Sequence, residues 1–173
     1  MNAKIAELLR DEIDGLNFVE RTAGLVRSLP IKVPTEDGVV TKNIPVYQNN
    51  EDTCDTEEMM ALVPDSSKKS IVFFEDGGID IEDKDTRFIH CRSTINMVAW
   101  FNLPMINETY TDATLLMAKL ISTVPKYITN EDFVTGIMVT PRSFLPKDSV
   151  YSQYDLDLAE NMYFAYPYDY PRS

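Results

Sequence analysis

The sequence predicts an α+β fold: a single domain with a mainly antiparallel sheet. Three observations indicate it. A helical amphipathic pattern opens the chain, several β-rich runs separated by turn residues follow, and one further helix precedes more strands. A chain of 173 residues that is 44% hydrophobic can bury one substantial core, whereas two independent cores would each be small. We therefore expect one domain over residues 1–173.

The first predicted element is an amphipathic helix. Ile5, Leu8, Leu9 and Ile13 recur at helical spacing, and charged residues occupy the opposite side. Gly15 follows as a stop signal. We expect one stripe of this helix to be buried.

A β-hairpin is predicted over residues 29–47, as a projecting arm. Two β-rich runs, 29–34 and 39–47, flank Thr-Glu-Asp-Gly at 35–38, and Asp-Gly between such runs is a strong hairpin signal. Pro30, Pro34 and Pro45 remove backbone donors, so these strands are expected at a sheet edge or in an arm. Residues 48–58, which contain the acidic run NNEDTCDTEE, are expected to form a polar loop.

The middle of the chain is predicted to form a meander. A strand over 70–74 is followed by a tight turn at Asp-Gly-Gly 76–78 and an alternating strand over 79–82. The run 86–103 then alternates so that one face is apolar, and this core face comprises Ile89, Cys91, Ser93, Ile95, Met97, Ala99, Phe101 and Leu103. The other face, from Phe88 to Asn102, is expected to meet solvent or a partner. At about 3.3 Å per residue this strand would approach 60 Å, so we expect a bulge, a bend or a projecting half.

A second helix is predicted over residues 112–124, with Pro125 beyond its end. It is apolar nearly all round, which predicts an inner helix covered on more than one side. Further strands are expected over 133–140 and 162–168.

The sequence offers no credible set of catalytic groups. His90 is the only histidine, and its neighbour Cys91 points to the opposite face of the predicted strand, so the two cannot form a dyad. Nucleophile-elbow, zinc-protease and phosphate-loop motifs are absent. The acidic clusters at 51–58 and 75–85 do not match EF-hand spacing and are interpreted as solvated loops, with a cation bound at a subunit contact as the alternative. We expect a protein that is not an enzyme and has no cofactor or metal.

The balance of 16 basic against 28 acidic residues gives a formal charge of −12 and argues against a phosphate-binding face. Two other interpretations stay open. An acidic surface can mimic DNA and inhibit a host nuclease, and clustered carboxylates can serve a hydrolase. The N-terminus lacks a signal-peptide pattern, and no stretch is apolar enough to span a membrane.

The end of the chain is rich in tyrosine. Six of the nine tyrosines follow residue 150, and Pro167 and Pro171 lie among them. Tyrosine covers apolar area while keeping a polar group, which suits a protein–protein contact. A terminal strand that packs its tyrosines on its own sheet is the alternative.

The element order, the segment DATLLMAKLI at 112–121 and the ending FAYPYDY at 164–170 together resemble a known group of proteins. They look like the tail-terminator and head-to-tail completion proteins of tailed bacteriophages, and are similar to the neck-ring proteins of crAss-like phages. The resemblance implies a structural virion protein that forms a ring at the portal–tail junction. It implies twelve copies, with six as the alternative, and contacts with adjacent portal, neck or tail rings. DNA would be passing cargo, and the location would be the virion, assembled in the host cytoplasm.

The resemblance transfers no functional residue, so the interface candidates come from the residues themselves. Projecting hairpins and strand ends can add to a neighbour's sheet. The candidate oligomer interface comprises Val39, Val40, Ile44, Val46, Tyr47, Trp100, Phe164, Tyr166, Tyr168 and Tyr170.

Overall fold

A computed structural model describes residues 1–48, 59–65, 67–84, 87–106, 113–140 and 154. It confirms the α+β class, with mainly antiparallel sheets and a hairpin arm. In chain order the elements are α1 (Asn2–Ile13), β1 (Arg21–Leu25), β2 (Arg27–Thr35), β3 (Gly38–Gln48), β4 (Met59–Ala61), β5 (Ser70–Lys84), β6 (Ile89–Phe101), α2 (Leu103–Ile106), α3 (Ala113–Thr123), β7 (Tyr127–Thr129) and β8 (Val134–Gly136).

The described strands form three sheets. In the central sheet, of order β1-β5-β6, β5 runs parallel to β1 and antiparallel to β6. The second sheet, of order β2-β3-β4, is antiparallel throughout, and β7 pairs with β8 alone.

Strand β5 separates two hydrophobic cores. Ile71 and Phe73 point to one side, where they meet the second sheet, while Val72 and Phe74 point to the other side, where they meet the helices. The arm-side core comprises Ala23, Val26, Ile44, Val46, Tyr47, Ala61, Leu62, Val63, Ile71, Phe73 and Tyr154. The helix-side core comprises Ile5, Ala6, Leu9, Ile13, Phe18, Val72, Phe74, Leu116, Leu120 and Ile128. The central sheet is thus covered on both faces where β1 pairs with β5.

Helix α1 packs as its pattern predicts. Ile5, Leu9 and Ile13 are buried on one stripe, with Leu8 partly buried beside them. The unexpected contact is Asn2, which is buried at the first turn and reaches the central sheet.

The second predicted helix is present as α3, but its surroundings differ from the prediction. Leu116 and Leu120 are fully buried, whereas Leu115 on the outer side is 49% exposed. Among the described residues, contacts therefore cover one side of the helix, although its sequence is apolar nearly all round. The sequence did not predict the short helix α2. It also did not predict β1, which lies in a run without a clear pattern, or β7, which lies in the segment after α3.

The predicted tight turn at 76–78 is wrong, because β5 continues through it as one strand of 15 residues. Asp76 lies opposite Ile95 and Ile79 lies opposite Ser93, so Gly77 and Gly78 form a bulge facing Thr94. Gly78 has φ +96°, a conformation that glycine adopts without strain. A second irregularity lies between Ile81 and Asp83.

The predicted solvent-facing side of the long strand is corrected in its second half. Val98 and Trp100 pack against the arm-side core, because the second sheet covers that face. Ile95, Met97, Ala99 and Phe101 pack on the helix-side core as predicted, but Ile89 at the start of β6 is exposed. The predicted strand at 162–168 and the acidic loop at 49–58 lie outside the described residues.

Candidate interaction surfaces

The first surface is the distal part of the β2–β3 hairpin, which we call the arm (residues 31–42). Strands β2 and β3 pair without a register shift from Arg27↔Val46 to Thr35↔Gly38, and a two-residue turn joins them. Gly38 has φ +128°, which explains why glycine follows Asp37 in the turn. Near the tip Val39 is 66% and Val40 is 44% exposed. The arm presents both valines to solvent, where a partner can reach them.

The base of the hairpin has a different role. Ile44, Val46 and Tyr47 are each less than 5% exposed and belong to the arm-side core. Their prediction as interface residues is therefore wrong for the folded chain. The local alternation pattern could not distinguish the base from the tip, because the base is buried by the second sheet packing on the central one.

The two long edges of the arm are chemically different. Pro30 lies opposite Asn43 and Pro34 lies opposite Val39 in an unbroken antiparallel ladder. In an antiparallel ladder, the two residues of a hydrogen-bonded pair exchange N–H···O bonds, and proline has no N–H. Both prolines therefore occupy non-hydrogen-bonded pairs, whose backbone groups point away from the partner strand. The outer edge of β2 is thus interrupted by proline. On β3 the outward positions of the arm are Val39 and Thr41, whose N–H groups are intact.

A bond at the base of the hairpin supports this assignment. Pro45 is an even number of residues from Val39 and Thr41, so its backbone groups point to the same side of β3. Its carbonyl accepts the N–H of Leu62 at 2.9 Å on the outer side of β3. Strand β4 covers this edge only along Val46–Gln48.

The second surface is the distal half of the β5–β6 pair, which we call the ribbon (residues 76–84 and 89–95). The first turn of helix α1 contacts β5 at the beginning of the ribbon. Asn2 Nδ2 donates to Asp76 Oδ1 at 2.7 Å and to the Gly78 carbonyl at 3.3 Å, and Gly78 N–H donates to Asp76 Oδ1 at 2.8 Å. These donors, the Gly78 N–H first and Asn2 second, hold the pKa of Asp76 below its ordinary value. The bulge is therefore tied to the first turn of α1.

Beyond the bulge, one face of the ribbon is apolar, and no described helix or sheet packs on it. Ile79 lies opposite Ser93, Ile81 lies opposite Cys91, and Ile89 shares their face because it is two residues from Cys91. Their side chains are 47%, 71% and 63% exposed for Ile79, Ile81 and Ile89 respectively. This face continues the helix-side face of the central sheet past the helices. The alternation of Ile79 and Ile81 in the sequence indicated that the two side chains share a face. No sequence pattern indicated that this face is exposed.

The rest of the ribbon is charged. Strand β5 carries Asp76, Asp80, Glu82 and Asp83 along its distal half. Arg92 Nη2 lies 2.7 Å from Glu82 Oε1 in an exposed ion pair. Exposed pairs of this kind contribute at most about 1 kcal/mol, so they set the charge of the surface more than its stability.

A polar network fixes the base of the hairpin to α1. Tyr47 donates its phenol to Glu7 Oε1 at 2.6 Å and accepts from Arg10 Nη1 at 3.0 Å. The Arg10 guanidinium lies over the Tyr47 ring, 5.3 Å from its centroid. Burial first, and the bond to Glu7 second, raise the pKa of Tyr47 to about 12.

A glycine makes room for this network. A Cβ at Gly24 would fall on the Glu7 carboxylate and would lie 3.1 Å from Tyr47 Cε2. A side chain at this position of β1 would therefore displace the Glu7 carboxylate, and glycine leaves the carboxylate in place for the network.

An open polar cleft of about 370 Å³ lies beside the network. Its lining residues are Arg10, Asp14, Glu20, Arg21, Thr22, Met60 and Lys68. Both carboxylates are engaged: Asp14 Oδ1 accepts from Thr22 at 2.8 Å, and Glu20 Oε2 accepts the Lys69 N–H at 2.6 Å. The Lys69 N–H is the main reason that the pKa of Glu20 lies below its ordinary value. Mixed charges and internal pairing make this cleft a structural contact between α1, β1 and the turn before β5.

The residues considered for chemistry are placed apart. His90 is exposed and lies opposite Asp83, while Cys91 is half-buried and lies opposite Ile81. In the described part of the chain, no three His, Cys, Asp or Glu side chains come close enough to hold a metal ion. Within the same residues, no helix is long and apolar enough to cross a membrane.

The remaining predicted interface residues divide into two groups. Trp100 is half-buried against the arm-side core, which corrects its assignment to an outward face. Phe164, Tyr166, Tyr168 and Tyr170 lie outside the described residues. Tyr154, the one described residue of the C-terminal part, is buried in the arm-side core and donates its phenol to Glu75. One C-terminal tyrosine thus packs on the chain's own sheet.

Comparison of the chain with family models, with curated proteins and with solved structures finds no match.

Proposed function

We propose that this protein is a structural subunit of a virion, forming an oligomeric ring at the portal–tail junction of a tailed phage. The observation that carries the proposal is the pair of exposed β-structures, the arm and the ribbon. Each presents large apolar side chains to solvent: Val39 and Val40 on the arm, and Ile79, Ile81 and Ile89 on the ribbon. Contiguous exposed apolar side chains on a sheet mark surfaces for protein contact.

The different chemistry of the two surfaces supports a ring. A symmetric dimer uses the same patch on both subunits, whereas a ring uses two different patches that meet head to tail. The arm and the ribbon are different patches, made by different strands. Both are anchored to the same body, the arm through the buried base of β3 and the ribbon through the buried half of β5.

The acidic composition fits a channel wall. A formal charge of −12 repels the DNA backbone, so DNA can pass along such a wall without adhering. The subunit would then link the capsid to the tail and carry out no chemistry of its own. Ring copies and the adjacent portal, neck or tail proteins are its expected partners.

Native mass spectrometry and negative-stain imaging of the pure protein, alone and with a portal complex, test the proposal. We expect closed rings, with twelve copies favoured over six, formed by the protein itself or on the portal. A chain that stays monomeric in both conditions and binds no neck component would refute it. Inhibition of a nuclease by the monomer would instead support the DNA-mimic alternative.

A further inference from the structure

We propose that the C-terminal run 162–166 adds to the outer edge of β6, as a fourth strand of the chain's own central sheet. This inference goes beyond the proposed ring and does not depend on it. It assigns an occupant to an edge of β6 with which no described strand pairs. Three observations carry it: the backbone groups along this edge, the half-buried side chains beside them, and the position of Tyr154.

The outer edge of β6 presents backbone groups that point away from β5. Asn102 N–H donates to the Lys69 carbonyl at 2.7 Å, on the side of β6 that faces β5. Backbone groups alternate between the two edges of a strand, so those of Met97, Ala99 and Phe101 point to the other side. In the described part of the chain, no strand lies on that side.

The pairing of β5 with β1 agrees with this alternation. Phe74 lies opposite Met97, and its carbonyl accepts the Val26 N–H at 2.8 Å on the side of β1. The Phe74–Met97 pair therefore exchanges no hydrogen bonds, and the backbone groups of Met97 point outward. Natural sheets protect an edge with proline, charge or a bulge. Residues 96–101 contain no proline and no charge, and both register shifts of the β5–β6 pair lie outside them. This part of β6 can therefore accept another strand.

The side chains on both faces of this edge are half-buried. Met97 and Phe101 pack on the helix-side core, whereas Val98 and Trp100 pack on the arm-side core, and all four keep part of their surface exposed. Trp100 Nε1 is shielded from solvent and has no acceptor among the described residues. A strand beside β6 that is apolar on both faces would cover this area. A hydroxyl on its arm-side face would also accept the indole N–H.

One run outside the described residues has the required composition. Residues 162–166, MYFAY, are apolar or aromatic at every position and carry no charge, and Pro167 ends the run. The other stretches of comparable length outside the described residues all contain charged side chains: 49–58, 107–112, 141–153 and 155–161. Tyr163 and Tyr166 are three residues apart, so they lie on opposite faces of an extended strand. Whichever way the run pairs, one hydroxyl lies on the face of Trp100.

Tyr154 brings the C-terminal segment to this edge. It is buried in the arm-side core and donates its phenol to Glu75, which lies opposite Asn96 of β6. Adjacent strands are about 4.8 Å apart, so the position beyond β6 is about 10 Å from β5. Residues 155–161 span up to about 23 Å at 3.3 Å per residue, which is enough to reach it. Because the segment is tied to the same sheet, its effective concentration at β6 exceeds that of another copy. The occupant is therefore the chain's own segment.

Hydrogen exchange of the full chain, resolved residue by residue, tests the added strand. The amides of Met97, Ala99 and Phe101 form an outward set, and those of Val98 and Trp100 form an inward set that faces β5. Both sets should exchange slowly, because the added strand accepts from the outward set as β5 does from the inward set. Outward amides that exchange at the rate of an unprotected peptide, beside slow inward amides, would overturn the inference.

A proline within the run supplies the matched comparison. Phe164→Pro removes a ladder donor and disfavours pairing in the run, so it should speed exchange of the outward set about tenfold or more and leave the inward set slow. Ser173→Pro introduces the same residue into the same segment outside the run, and it should change neither set. An outward set that Phe164→Pro leaves as slow as in the unmodified chain would show that another group covers β6, and would refute the inference.

Cross-linking identifies the chain that supplies the strand. In a background with Cys54→Ser and Cys91→Ser, one chain carries both Met97→Cys and Phe164→Cys and is treated with a short bis-maleimide. We expect mainly an internally bridged monomer, in several-fold higher yield than from a chain with Val39→Cys and Phe164→Cys. A covalent dimer as the main product would show that another copy supplies the strand. Equal yields from the two pairs would show that the run does not lie at β6, and either result would overturn the inference.

These measurements are separate from the test of the ring. Native mass spectrometry reports the ring, whereas amide exchange and internal bridging report the strand within one chain. A chain that forms rings but leaves the outward set of β6 unprotected keeps the proposed function and refutes this inference. A chain that protects and bridges this edge but stays monomeric, alone and with a portal, supports this inference and refutes the proposed function.

Discussion

Replacement of Tyr47 by phenylalanine tests the anchoring of the hairpin. The substitution keeps the buried ring, which is 3% exposed, and removes the hydroxyl that joins Glu7 at 2.6 Å to Arg10 at 3.0 Å. Hydrogen bonds to charged groups contribute about 1.5–3 kcal/mol each. Glu7 and Arg10 keep their own ion pair at 3.3 Å, which offsets part of the loss. We expect Tyr47→Phe to lower the free energy of unfolding by about 2 kcal/mol at pH 8, and the Tm by about 6 °C.

The same substitution should change the dependence of stability on pH. The folded-state pKa of Tyr47 is about 12, against an ordinary value of 10.0. A phenol whose pKa is raised by folding stabilises the protein fully below pH 10, and this contribution declines as pH rises toward 12. Two pKa units correspond to about 2.7 kcal/mol. The stability advantage of the unmodified chain over Tyr47→Phe should therefore shrink steeply between pH 10 and 12.

Urea denaturation of both chains at pH 8, 9, 10, 11 and 11.5 measures this directly. The difference between the two chains cancels the titration of the other tyrosines and of the lysines. Tyr47→Phe should leave the oligomeric state at pH 8 the same as that of the unmodified chain, because the hydroxyl is internal. A difference in unfolding free energy that stays constant from pH 8 to pH 11.5 would refute the reasoning.

Three further substitutions probe buried contacts in the body that supports the two surfaces. Gly24→Ala places a Cβ on the Glu7 carboxylate, and we expect a loss of about 1–3 kcal/mol in urea denaturation; an unchanged midpoint would show that the carboxylate moves away without cost. Asn2→Ala removes the side-chain donor of Asp76, whose folded pKa is lowered, so its contribution is present above about pH 4 and is lost as pH falls. Asn2→Ala should thus cost about 1 kcal/mol at pH 7 and less at pH 3, as thermal unfolding at both pH values would reveal. Leu116→Ala empties a fully buried position of α3 and should cost about 2–5 kcal/mol by the same denaturation assay, with the larger loss expected if the helix cannot close on the cavity.

The local features of the fold were predictable from sequence because their signals are local. Asp-Gly between two β-rich runs specifies the arm, and the spacing of Ile5, Leu9 and Ile13 specifies the buried stripe of α1. The expected projecting half of the long strand is present as the ribbon. Which part of the ribbon is exposed depends on where the helices that cover the sheet end. No local sequence pattern encodes that position.

The errors arose where tertiary contacts decide between local alternatives. Asp-Gly-Gly at 76–78 favours positive φ, and a tight turn and a bulge satisfy that preference equally; pairing with β6 selects the bulge. Trp100 lies on the face of β6 opposite to the predicted core face, yet the second sheet covers this face as well. The parallel pairing of β1 with β5 joins residues about 50 positions apart, and neither strand carries a sign of its partner.

The placement of β5 between the two cores has a consequence for how the protein opens. Ile71 and Phe73 serve one core while Val72 and Phe74 serve the other, so neither core can melt without exposing half of the same strand. Amide protons of residues 71–74 should exchange with solvent only through global unfolding, whereas those of the arm and ribbon exchange through local fluctuations. The two surfaces proposed for assembly can therefore adapt to a neighbour while the strand that joins their supports stays closed.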